Sequence, residues 1–107
     1  MFVYNGEKTD ETGETRMNVK VFANFREICM NKVVEVSAQD GSSVAEVLEA
    51  LIERFPPLEP EVFDASRQLK PFVHVYINGR NIIHLDGLET KVRSDDQFAL
   101  FPPVAGG

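Results

Sequence analysis

Apolar and polar residues alternate through Asn18–Phe25: Val19, Val21 and Ala23 fall on one face, Lys20 and Phe22 on the other. That two-residue period predicts a strand. Val33–Val36 is short and β-branched and reads as a second strand. The stretch between them suits a hairpin with a wide loop, which would hold Cys29. Beyond the Asp40-Gly41 turn signal the period changes. Val44, Val47, Leu48, Leu51, Ile52 and Phe55 recur at helical spacing, with Glu46, Glu49, Glu53 and Arg54 outside the stripe. Ser43 with Glu46 three residues on forms a capping box, and Pro56-Pro57 ends the helix. Residues 56–71 read as loop with one helical turn near Val62 and Phe63. Alternation returns at Val73, Val75 and Ile77, and Asn78-Gly79 marks a tight hairpin running on through Ile83. Leu85–Val92 reads as a turn with a short helical piece. The last strand ends at Phe101, with Phe98 and Leu100 on one side and Ala99 and Phe101 on the other.

The predicted order is β-β-α-β-β-β with one main helix. One helix covers one sheet, so the economical arrangement is α+β: a mixed sheet of about five strands with the helix across one face. A first hairpin, a helical crossover and a return strand beside the start of the chain make a β-grasp, the fold of ubiquitin. Residues 1–16 are polar after the first four and read as a flexible N-terminal extension, with a short strand at Phe2–Tyr4 as the alternative. The domain itself is expected over 17–101, and residues 102–107 as a protruding tail.

A chain of 107 residues is the size of one domain, and its apolar fraction of 43% is ordinary. The net charge of −6 argues against nucleic acid and for a partner with a basic surface. No apolar run is long enough for a membrane span and no stretch has the order of a signal peptide. Cys29 is the single cysteine, so an internal disulfide is excluded, and the expected location is the cytoplasm.

No catalytic constellation stands out. The sequence has no phosphate-binding glycine loop, no His-Glu-x-x-His and no cysteine pair. His74 and His84 fall at strand or strand-end positions, where a half-exposed packing role is the simpler reading. No metal site or bound cofactor is expected. The chemistry points instead to the end of the chain, LFPPVAGG. Pro102 and Pro103 donate no ladder hydrogen bond and hold the backbone extended. From Pro102 the remaining residues reach at most about 20 Å. A carboxylate on Gly107, preceded by Gly106, is as unhindered as a protein carboxylate can be and threads a narrow channel. A carboxylate is a poor electrophile until activated, for example as a mixed anhydride with AMP, and nothing in the sequence binds ATP. The activating machinery would be another protein.

The segments VKVFANFRE, SSVAEVLEALIERFP, VHVYINGRNI, LDGLETKV and DDQFALFPPVAGG resemble the small subunit of molybdopterin synthase (MoaD), the thiamine sulfur carrier ThiS and the archaeal small ubiquitin-like modifiers, over about residues 18–107. Phe-Pro-Pro before the tail is more similar to the MoaD and archaeal branch. The resemblance implies that Gly107 is adenylated by an E1-like enzyme of the MoeB/ThiF/UbaA type, which uses ATP, and is converted to a thiocarboxylate. It implies that Gly106 enters that enzyme's channel. It implies docking through Phe101 and Phe22, with Pro102, Pro103 and Val104 at the root of the tail and Arg26 at the interface. The alternation places Phe22 and Phe101 opposite the core set, as a docking surface requires; a second small core is the competing reading. Residues 1–16 depart from the family pattern. Three functions remain open: a sulfur carrier serving the large subunit of molybdopterin synthase or tRNA thiolation, a modifier joined through Gly107 to lysines of target proteins, or an interaction module with an inert tail.

Overall fold

Five strands form one mixed sheet in the computed structural model, which describes residues 16–103. The expectations for residues 1–15, Val104, Gly106 and Gly107 lie outside the described residues. The strands are β1 (Arg16–Val21), β2 (Val33–Ser37), β3 (His74–Ile77), β4 (Arg80–Asn81) and β5 (Phe98–Phe101). Their spatial order is β2-β1-β5-β3-β4. β1 pairs antiparallel with β2 and parallel with β5, while β3 pairs antiparallel with β5 and β4. The last strand thus lies in the centre, beside the first, in the β-grasp arrangement read from the pattern. β1 begins at Arg16, two residues before Asn18, because the ladder continues to the Arg16–Ser37 pair of its partner strand.

The hydrophobic stripe becomes α2 (Val44–Arg54). Its capping box is complete: Glu46 N donates to Ser43 Oγ (3.2 Å), and Ser43 N donates to Glu46 Oε1 (2.8 Å). That backbone donor holds the Glu46 carboxyl below its usual range. Val44, Val47, Leu48 and Leu51 are buried against the inward residues of the sheet: Met17, Val19 and Val21, Val34 and Val36, Val75 and Ile77, Phe98 and Leu100. Asn78 and Gly79 both have positive φ (52° and 83°), as the expected two-residue hairpin turn requires. The return strand is shorter than the pattern suggested. After Asn81 the chain turns into a 3₁₀ segment (Ile82–His84), because Asn81 Oδ1 accepts from Ile83 N (3.1 Å) and caps it.

One expectation is corrected. The wide loop between the first two strands is a helix, α1 (Ala23–Cys29), so Ala23 does not continue the strand and Cys29 is not a loop residue. Phe25 and Cys29, four apart, both turn into the core. Met30 closes the helix with φ 57°, its N–H reaching Arg26 O and Glu27 O. A 3₁₀ segment (Pro56–Leu58) and the one-turn helix α3 (Glu59–Val62) follow α2 and bury Leu58 and Val62. All these helices serve one core. Among the described residues none lies across the outward row of the sheet, where Lys20, Val33, Ala99 and Tyr76 stand abreast in the register.

Candidate docking and carrier site

The chain leaves the sheet at Phe101, on its helix-free face. β5 directs Phe98 and Leu100 inward and leaves Ala99 and Phe101 half-buried outward, as its alternation predicts. β1 ends at Val21, and Phe22 follows in extended conformation (φ −131°, ψ 157°) before the chain turns into α1 at Ala23, whose φ is +52°. This kink sends the helix away toward the core and leaves the Phe22 ring on the open face beside β5. The rings of Phe22 and Phe101 stack with centroids 4.3 Å apart and planes within 8°. Tyr76 meets Phe101 edge-on, at 5.4 Å and 77°. The Arg26 guanidinium lies 5.5 Å from the centroid of Phe22, and its Nε donates to Val21 O (3.3 Å), which fixes the side chain over the ring.

A mostly apolar groove of about 550 Å³ opens alongside, lined by Phe22, Ala23, Asn24, Phe101, Pro102 and Pro103, with Glu61 as its one carboxylate. Pro103 is exposed, whereas Pro102 is buried and lines the groove from below the surface. The structure therefore brings together Phe22, Phe101, Arg26, Pro102 and Pro103. Tyr76 belongs to the same cluster and was missed. Its alternation with Val75 and Ile77 marked it as outward, but only the β3–β5 pairing, which sets Tyr76 opposite Ala99, places it beside Phe101.

The other reactive side chains stand apart. His74 is half-buried in β3, 3.2 Å from Asn81 Nδ2, and His84 is exposed. Among the described residues no three His, Cys, Asp or Glu side chains cluster as metal ligands, and no helix is long and apolar enough to cross a membrane. Cys29 is 4% exposed; burial raises its pKa, and the nearby Arg54 lowers it by less. A buried thiol with a raised pKa is a poor nucleophile. Iodoacetamide is accordingly expected to label Cys29 at least about tenfold more slowly in the native protein than in guanidinium, as followed by intact mass. Equal rates would place the thiol at the surface.

The ThiS family profile matches residues 19–107. Small archaeal modifier protein 3 of Haloferax volcanii is 35% identical over 91 residues, which cover 85% of this chain and 98% of that protein. A putative sulfur carrier protein of Archaeoglobus fulgidus is 50% identical over 47 residues, 44% of this chain and 53% of that protein. The crystal structure of SAMP1 from Haloferax volcanii superposes with a TM-score of 0.76 at 33% identity, covering 86% of this chain and 99% of that one.

Proposed function

The chain belongs to the ThiS family of ubiquitin-like β-grasp carriers and modifiers, and from that premise we propose that it carries sulfur as a thiocarboxylate on Gly107. An oxygen of the Gly107 carboxylate attacks the α-phosphorus of ATP in an E1-like enzyme and expels pyrophosphate. Hydrosulfide (HS−) then attacks the acyl carbon of the adenylate and displaces AMP, which leaves the thiocarboxylate and releases one proton. This chain supplies the carboxylate, a thin Gly106-Gly107 tip and a docking face. The observation that carries the reading is the placement of that face. The strand that leads into Pro102-Pro103 is the one that holds Phe101 in a half-exposed aromatic cluster with Phe22, Tyr76 and Arg26. Partly exposed aromatics with an arginine are the side chains that most often anchor an interface. Any protein that takes up a tail this short must rest on the surface at its root. A reaction that draws on ATP is in keeping with a cytoplasmic protein.

Likeness to small archaeal modifier protein 3 favours a second use of the same adenylate. A lysine amine in place of the sulfur nucleophile would also displace AMP and leave Gly107 in an isopeptide bond with a target protein.

Mass spectrometry of the C-terminal fragment, after native alkylation of protein from its own organism, separates these. A labelled sulfur on Gly107 is the expected result. Alkylation is needed because replacing oxygen by sulfur is nearly isobaric with methionine oxidation. Gly107 found only on lysines would make the protein a modifier and not a carrier. A bare carboxylate under every growth condition would overturn both readings.

A further inference from the structure

Phe72 occupies a position that neither burial nor backbone geometry selects for phenylalanine. Val73 N donates to Lys70 O (3.1 Å), closing a four-residue turn. Pro71 holds the second position with its ring-fixed negative φ, and Phe72 holds the third with φ +68°. Together these make a type II turn, whose third position calls for glycine or asparagine. A bulky residue with positive φ is a true outlier. The residue is also 74% exposed, and every other Phe or Tyr among the described residues is buried or half-buried.

Its place in the fold gives the strain a use. β3 and β5 are antiparallel with His74 opposite Phe101. Phe72 precedes His74 by two residues and Pro103 follows Phe101 by two, so both leave the ladder at the same end of the sheet. The root of the tail is thus flanked by the Phe22–Phe101 stack and by Phe72.

We propose that Phe72 is a further docking anchor for the enzyme that activates Gly107, inserting into an apolar pocket beside that enzyme's tail channel. This rests on the carrier reading above. The occupant follows from reach: the four residues from Val104 to Gly107 span at most about 14 Å. An enzyme closing around the Gly107 carboxylate therefore covers this end of the sheet. A phenylalanine ring carries a large apolar area on two rotatable bonds, so ordering it on binding costs little side-chain freedom.

Phe72→Gly tests the proposal without unfolding the domain, since glycine relieves the turn. The assay is ATP–pyrophosphate exchange by the adenylating enzyme encoded in the same organism, with this protein as the varied substrate. KM is expected to rise tenfold or more with kcat within twofold, while the melting temperature holds or rises by a few degrees. Phe72→Tyr is expected to keep KM near that of the unaltered protein. An unchanged KM for Phe72→Gly would overturn the proposal and leave the carrier reading standing. A clear fall in melting temperature would make Phe72 structural and overturn it too. If sedimentation showed a dimer that Phe72→Gly dissolved, with KM unchanged, the ring would belong to self-association. If the unaltered protein supported no exchange at all, the carrier reading would fail and take the proposal with it.

Discussion

Removing Gly106 and Gly107 is expected to abolish ATP–pyrophosphate exchange with the activating enzyme and to move the melting temperature by no more than about 2 °C. The two effects separate because the core closes without the tail. Every residue of the hydrophobic core lies between Met17 and Leu100, and the sheet, α1, α2 and the helical segments after α2 enclose it. Two glycines add no side-chain surface to bury. On the carrier reading, the chemistry by contrast depends on them entirely: truncation moves the carboxylate back by about 7 Å and puts it on Ala105, whose β-carbon would obstruct a narrow channel. Adding one residue after Gly107 keeps both glycines but displaces the carboxylate, and activity is again expected to vanish. If that extended protein were activated normally, the terminal carboxylate would not be the reacting group. A melting temperature lowered by 5 °C or more on truncation would mean that the tail packs on the domain.

The elements legible in the sequence are those whose determinants are local. α2 announces itself through Ser43, Glu46 and a stripe whose buried members are four apart or fewer. The Asn78-Gly79 turn is specified by two residues that tolerate positive φ. The alternation of β5 alone sorts Phe98 and Leu100 inward and Phe101 outward. α1 was hidden for a physical reason. It is seven residues long, and the extended Phe22 before it prolongs the strand period up to its first residue. The kink at Ala23 is held by tertiary packing of Phe25 and Cys29, and nothing about an alanine signals φ +52°. The aromatic cluster was half legible. Phe22 and Phe101 follow from alternation plus a β-grasp pairing of the first and last strands. Tyr76 needs the non-local β3–β5 register as well, and Phe72 needs the turn geometry. The aromatic cluster is thus spread over segments from Phe22 to Phe101, and only the proposed reactive end is contiguous in sequence.

One sheet with one covered face also makes its own controls. Phe101→Ala is expected to weaken binding to the activating enzyme about thirtyfold or more, the loss typical of an interface anchor. Its cost to the fold is expected to be about 1–2 kcal/mol, because the ring is half-exposed and gives up mainly its stack on Phe22 and its edge contact with Tyr76. Phe98 lies three residues earlier on the same strand and is 1% exposed. Phe98→Ala should cost about 3–5 kcal/mol and leave much of the domain unfolded. Thermal unfolding of the two variants, with calorimetric titration of the enzyme by Phe101→Ala, therefore reads the two faces of one strand against each other. Phe22→Ala adds a third point. Since Phe22 and Phe101 share one stack, the double variant should lose less stability than the sum of the two single losses, by about 0.5–1.5 kcal/mol. A Phe101→Ala protein that melts like Phe98→Ala and binds normally where folded would make the stack a second core. The groove beside it would then lose its claim as the place where the tail's enzyme docks.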